Sequence, residues 1–480
     1  MRYFLYALLA IICVLLLIAL IRTFKIKAKP TNKESAAPFT PEEEQKYAKM
    51  LSKMVQVPTV SAKEGEDKSV FYELHAVMKE NFPLVFEKLE KIDLNGNLLM
   101  HWKGKDSTKE PILLMGHQDV VPAVETTWKH EPFSGDIEDG RVHGRGAMDC
   151  KCTVCAEWAA VEELLEEGFV PERDVYLACS TNEEISGGGV QLIVKYLKDN
   201  GIRLACAMDE GGAIVKDVLP GLSTLTAAVG ICEKGVGVIK FTAKGNGGHS
   251  STPAKNNPIA RLSAFVTDVE KHDPFKTKLT DPVIGMFKNV SPYLSFPLRF
   301  VLGNLWLFKP LLFVAMPIIS PTTKALVKTT YVFTMSGGSA AHNVIPEEAY
   351  VVANIRPSIQ QNCEECFEIL KKIAAKYDIE AELVMGKSAS NVTSLNSEEL
   401  AYVGQCVKDV FPTHCFTPYM QTGGTDCREM QAVTDNCLRF TPIRMDPQQL
   451  AAMHAANENI CTDAVAEGVK YYKYWIENHK

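Results

Sequence analysis

Hydrophobic and polar positions divide the chain into three textures. Residues 3–21, YFLYALLAIICVLLLIALI, carry no charge, and as a helix this run is about one bilayer thickness long. It lacks the shorter apolar core and small-residue cleavage site of a removable signal, so residues 1–22 read as an uncleaved transmembrane anchor. Residues 23–39, basic and then rich in Pro, Ser and Ala, read as a linker.

From Thr40 the pattern is that of an α/β domain. Thr40-Pro41-Glu42-Glu43-Glu44 supplies a capping hydroxyl, Pro at the first helical position and acids in the first turn. Apolar runs at 84–93, 97–102, 111–115, 174–179 and 204–208 predict strands, and helical periodicity appears at 69–81, 151–167 and 188–199. Such alternation predicts a mixed sheet with flanking helices. Near residue 233 the texture changes. GVGVIKFTAKG alternates like a half-exposed strand, followed by a helix at 258–271, strands at 330–336 and 349–356, a helix at 362–377 and a strand at 379–384. A β-α-β-β-α-β order predicts a ferredoxin-like α+β domain. The first texture returns after residue 387. One α/β domain, residues 40–232 and 388–480, is therefore expected to hold an inserted α+β domain, residues 233–387, with an apolar insertion of its own at 280–329.

Composition changes little in this picture. With 480 residues, 46% hydrophobic and 23% charged, the chain can build two real cores, and a net charge of −7 without a basic stripe argues against a nucleic-acid partner. The fourteen cysteines lack disulfide-framework spacing and read as reduced structural thiols.

The polar residues of interest fall at strand ends or loops of the α/β domain, where open sheets bind ligands. His117 ends the run at 111–115, Asp149 precedes the helix at 151–167, Glu183 and Glu184 follow the strand ending at Cys179, Asp209 follows the strand ending at Met208, and His454 lies in MHAANE. Two imidazoles and the carboxylates of Asp149, Glu184 and Asp209 form an N/O set suited to zinc. Five side chains exceed one open tetrahedral site and fit two ions that share a carboxylate. Asp119 is placed to orient His117 from the far ring nitrogen. Of Glu183 and Glu184, one would bind metal and the other move a proton. Each residue also has a bland alternative: a helix cap for Asp149, a turn acid for Asp209, a surface histidine for His454.

Eight stretches in order, GHQDVVP, GRGAMDCK, TNEEISGGG, DEGG, GGHSSTP, HNVIP, NIRP and TGGTD, together with the His of MHAANE, resemble the aminoacylase/carboxypeptidase S family of dizinc metallopeptidases, and most of all its carboxypeptidase S and N-fatty-acyl amino acid hydrolase branch. The resemblance implies a zinc-peptidase-type sheet and an inserted lid domain that also dimerises. It implies two zinc ions per chain: His117 and Asp209 on one, Glu184 and His454 on the other, Asp149 bridging. It makes Glu183 the general base, Asp119 the orienting acid, and His249 an oxyanion donor from the lid of a partner subunit. Asn343 and Arg356 would hold the substrate, and Gly423 and Gly424 would line the pocket. Cys150, after the bridging Asp, departs from many relatives.

These residues predict a hydrolase of amide bonds next to a free carboxylate, acting on an N-acyl amino acid or short peptide, with the reverse condensation open. An aminopeptidase or deacylase without carboxylate recognition, and a tethered binding protein on an inactive scaffold, are the alternatives. Arg22, Lys25, Lys27 and Lys29 outnumber Arg2 and the amino terminus, which favours a cytoplasmic globular part; the resemblance favours the lumenal or extracytoplasmic side. Residues 293–320 are unusually apolar, yet Arg299, Lys309, Pro297, Pro310 and Pro317 disfavour a regular span. A buried plug, or a wall facing an acyl chain or dipping into the bilayer surface, are the readings.

Overall fold

A computed structural model describes residues 2–30, 39–61, 63, 65–216 and 221–480. The expected linker lies partly outside them, at 31–38. The helix Arg2–Lys25 is followed by Pro41–Val55, which starts as the sequence dictates: the Thr40 side chain accepts from the Glu43 amide, and Glu43 reaches back to the Thr40 amide.

The larger sheet has ten strands. At its centre Val175–Ser180, Ile112–His117, Cys206–Asp209 and Cys437–Arg439 run parallel. Asn97–Trp102 and Glu90–Leu94 extend one side antiparallel, and Thr226–Glu233 joins the other, antiparallel to Cys437–Arg439. The parallel strands are buried throughout and therefore read as continuous apolar runs. Lys151–Glu166 packs behind them, buried at every position from Lys151 to Leu165. Together with Thr462–Asn478 it forms a core around Trp158, Trp475, Tyr471 and Tyr472.

The second sheet orders Thr330–Gly337, Glu348–Arg356, Val236–Lys244 and Glu380–Lys387, all antiparallel, with the helices Pro258–Lys271 and Cys363–Ala375 contributing to its core. This is the ferredoxin-like arrangement expected. Gly248–His249 pairs with Val344–Ile345 in a separate ribbon beyond the Lys244 end of that sheet.

Two expectations need correction. The strand read at 84–93 begins as a helix, Pro83–Lys88, and only Glu90–Leu94 is extended. The cause is non-local: the Glu162 carboxylate accepts the Leu84 and Val85 amides, at 3.0 and 2.9 Å, and so caps the helix from another element. The apolar insertion is not a loop. It folds into Asp281–Val290, Phe296–Leu302, Leu305–Ile319 and Pro321–Val327. Its inner side packs on Leu222, Cys415 and Tyr419. No residue of 293–320 lines the clefts described below.

Candidate active site

Asp149 stands at the centre. It lies just before Lys151–Glu166, but the position that opens that helix is Cys150, and no side chain caps it. Asp149 is therefore free to point elsewhere. Its Oδ1 lies 3.0 Å from His117 Nε2 and its Oδ2 3.0 Å from His454 Nε2. Glu184 Oε2 lies 3.1 Å from the same His454 nitrogen. Two three-residue groups with metal-ligand spacing share this one carboxylate: His117, Asp149 and Cys150, and Asp149, Glu184 and His454. His454 lies past the end of Pro447–Ala452, with φ of 58°. This left-handed conformation is costly for a non-glycine residue and is typical of functional positions.

Asp119 does more than orient an imidazole. His117 Nδ1 donates to the Asp119 carbonyl oxygen at 2.9 Å, whereas the nearest carboxylate oxygen is 3.5 Å away. That carboxylate accepts from the amides of Glu183 and Glu184, each at 3.2 Å, and from Ser61 Oγ at 2.6 Å. It thus fixes the loop that carries Glu183 and Glu184. Asp209 is buried, and its two oxygens accept the amides of Glu210 and Cys427, at 2.8 and 2.7 Å. The neighbouring Glu210, which sequence reasoning passed over, faces Asp149. Burial, then Asp149, Asp209 and Glu183, push its carboxyl well above the usual range.

Glu458 was missed as well. Its Oε1 accepts the amides of Met148 and Asp149, at 3.0 and 3.1 Å, and its Oε2 pairs with Arg145 at 2.8 Å. It holds the backbone that presents Asp149. The only sequence signal is an acid four residues after His454. Asp426, in TGGTD, accepts from Ser180 and is pushed up to about 8, by burial first and by Asp209 next.

The lid residues divide. Arg356 lines the same cleft as Glu183, Gly424, Asp426 and Lys387. Its guanidinium donates to Asn354 Oδ1 at 3.2 Å, and among the described residues no carboxylate pairs with it. Gly424 and Gly423 are exposed, and a Cβ on either would meet nothing closer than 3.8 Å. His249 and Asn343 are exposed on the ribbon. There Ser250 donates its amide to the Asn343 carbonyl, and His249 Nδ1 pairs with Ser251 Oγ. Among the described residues, no hydrogen bond or ion pair joins His249 or Asn343 to the histidine–carboxylate cluster.

Two divalent ions fit this donor set. Seven carboxylates, Asp119, Asp149, Glu183, Glu184, Asp209, Glu210 and Asp426, surround the imidazoles of His117 and His454. Buried negative charge in such excess is strongly unfavourable without cations. Glu184 Oε1 is buried with no hydrogen-bond partner. Burial pushes Glu183 well above the carboxylate range, and the Asp149 and Glu184 carboxylates hold His454 up at about 10. The Cys150 thiol is pushed well up by burial and shares hydrogen bonds with the His117 backbone.

A mixed sheet with polar residues at its strand ends, a ferredoxin-like lid and a carboxylate-centred N/O donor set together define a metal-dependent hydrolase. The sequence profile of Peptidase family M20/M25/M40 matches residues 113–478, and the chain belongs to that family. It is 32% identical to the N-fatty-acyl-amino acid synthase/hydrolase PM20D1 of Xenopus tropicalis, over 97% of this chain and 93% of that one. It is 29% identical to carboxypeptidase S of Saccharomyces cerevisiae, covering 89% and 83%. Among solved structures, the M20 family metallo-carboxypeptidase Sso-CP2 of Sulfolobus solfataricus superposes with a TM-score of 0.64 at 19% identity, covering 90% of this chain and 98% of that one.

Proposed function

We propose that the chain hydrolyses the amide bond of N-acyl amino acids with an apolar acyl group. The supporting observation is that two unlike pockets flank the cluster. The cleft beside Glu183 carries Arg356, a half-buried cation with no anionic partner among the described residues. On the other side, Asp149 and Glu210 border a pocket whose remaining walls include Met148, Ala213, Val215, Met445, Leu450 and Met453. An amide carbon held between them would direct a carboxylate to the guanidinium, which binds it as a fork, and an acyl chain to the methionines, which adapt to flexible apolar groups. The names of the N-fatty-acyl-amino acid and carboxypeptidase S relatives agree with this substrate class.

His117, Asp149, Glu184, His454 and one of Asp209 or Glu210 would hold two zinc ions. Zinc supplies Lewis acidity and makes a bound water more acidic. Glu183 takes the proton of the attacking water and delivers it to the leaving nitrogen. Burial raises its affinity for that proton, and neighbouring cations would lower it again, which suits a group that must both accept and release. Asp119 keeps Glu183 in place. Asn343 helps hold the substrate, and His249, from the lid of a second subunit, donates to the carbonyl oxygen as it gains charge.

The test compares a long-chain N-acyl amino acid with its carboxamide, which masks the free carboxylate, with and without chelator. The acid should be hydrolysed far faster than the carboxamide, and chelation should abolish both. Equal rates for acid and carboxamide would favour a deacylase without carboxylate recognition.

A further inference from the structure

The face of the apolar insertion that points away from the core is hydrophobic, although a soluble helix would be polar there. In Leu305–Ile319 the exposed positions are Trp306, Pro310, Leu311, Val314, Ile318 and Ile319, with Val314 65% and Ile318 77% exposed. Its one charged residue is Lys309, which lies over the Phe313 ring. Phe296–Leu302 precedes it at an angle of 99°, so the two cannot add up to one straight crossing. Fifteen residues reach only ~22 Å as a helix, short of the ~30 Å hydrocarbon core.

The break between these helices is fastened to the N-terminal helix. Asn304 is fully buried, and its Nδ2 lies 3.1 Å from the Ala19 carbonyl and 2.9 Å from Thr23 Oγ1. Arg299 donates to the Ile26 carbonyl, Phe24 packs on Phe296, and the Lys29 amide donates to the Pro292 carbonyl. At Gly303 a Cβ would lie 2.6 Å from the Arg299 carbonyl oxygen and 2.5 Å from Ile26 Cδ1. The non-helical backbone is thus sealed by protein, the condition for irregular backbone at membrane depth. Only the last turns of Arg2–Lys25 contribute: Ala19 and Thr23 are its buried residues. Around this joint stand Arg22, Lys25, Lys27, Lys29 and Arg299, the charge that anionic headgroups attract.

We infer that Phe296–Ile319 is embedded in one leaflet of a lipid bilayer, beside the emerging end of a retained Arg2–Lys25 helix. The two form a two-part membrane seat. One helix crosses, and the bent pair lies flat, with Trp306 near the headgroups. The continuity of the exposed apolar face with a helix long enough to cross, the flanking cations and the sealed break identify lipid as the occupant rather than a second protein surface. Asn304 also explains why the N-terminal helix is kept: its loss would strip a buried amide of two of its acceptors. The inference stands whether or not the substrate carries an acyl chain.

The experiment uses the full chain in nanodiscs, with tryptophan emission of the unmodified protein compared with that of Trp306→Phe. The difference, which belongs to Trp306, should be quenched at least twofold by lipids brominated near the top of their chains, less by lipids brominated deeper, and little by aqueous acrylamide. Val314→Trp in the Trp306→Phe background provides a second reporter should the first variant be misassembled. Quenching of both reporters by acrylamide alone would mean a water-exposed face and overturn the inference. Quenching by neither would mean a protein cover and overturn it equally. Recovery of the membrane-extracted chain without residues 2–25 would remove the retained helix and with it the seat.

Discussion

Two buried polar clusters lie within a few residues of each other, and they are built on opposite plans. Around Glu233 one acid is paired with two arginines, although Arg439 Nη2 is left without a hydrogen-bond partner. Its carboxylate accepts from Arg428 Nε, Arg439 Nε, and the amide and hydroxyl of Thr425. Around Asp149, seven acids crowd two imidazoles, and Glu184 Oε1 has no partner. The Glu233 carboxylate is complete without a ligand. An unsatisfied cluster needs something more, and either protons or metal cations answer its charge. The difference is one of sign: an excess of arginine around Glu233 and an excess of acid around Asp149. Arg356 belongs to neither group: a guanidinium beside the Glu233 cluster, still without an anion among the described residues.

The sharpest way to break the comparison is Asp149→Ala. It should cost both ions by elemental analysis and reduce activity to background, because both histidines converge on this carboxylate. Two zinc ions in that variant would reduce Asp149 to scenery. Glu183→Gln should keep the ions and lower kcat by about 10²–10⁴-fold, the usual share of a general base; near-normal turnover with full metal would assign the proton to another group. Glu233→Gln should do the reverse. With two arginines left uncompensated, urea unfolding should show a loss of about 3–5 kcal/mol, while metal content stays at that of the parent. Arg356→Met should lower kcat/KM for free acids by roughly 10–100-fold, as expected for a charged hydrogen bond of about 1.5–3 kcal/mol, and leave carboxamides unchanged.

The smallest effect is a slope. Lys234 is buried between the domains, and its Nζ donates to the Lys328 carbonyl and Thr330 Oγ1. Burial first, and Arg356 second, lower its pKa to about 7. The unfolded chain, with an ordinary lysine, therefore binds more protons than the folded one between pH 7 and about 10.5. Stability should rise with pH across that window, and the cost is complete below pH 7. The slope approaches 1.4 kcal/mol per pH unit for one proton. Lys234→Met should flatten it; an unchanged slope would show that Lys234 stays charged when folded.

Much of this was legible in the sequence because the relevant information is local. A strand that ends in His117, an acid before a buried helix and paired glutamates after a strand are all short-range signals, as is the Thr40 cap. What escaped depends on residues distant in sequence. The Glu162 cap turned a β-like run into the Pro83–Lys88 helix. Glu458 reaches Asp149 across three hundred and nine positions. Within the 280–329 insertion, Leu305–Ile319 is apolar nearly all round, so it offered little periodicity to reveal a helix. Asp119 reads as a histidine's partner because they are two apart in sequence; the folded chain also gives its carboxylate to the Glu183–Glu184 backbone.

The chain crosses between its two sheets twice, at Lys234 and Ser388, and one side chain grips both crossings: Arg428 donates to the carbonyls of Lys234 and Ser388, each at 2.6 Å. Glu233 and Ser390 stitch the same seam. The insertion adds a second attachment, because Asp281–Val290 packs on Cys415–Gln421. Arg356 sits near the seam, where Gly235 donates to the Pro357 carbonyl, whereas His249 lies beyond the far end of Val236–Lys244, ~26 Å away at 3.3 Å per residue. The two lid residues thus stand at unequal distances from the seam, Arg356 beside it and His249 past the far end of a strand.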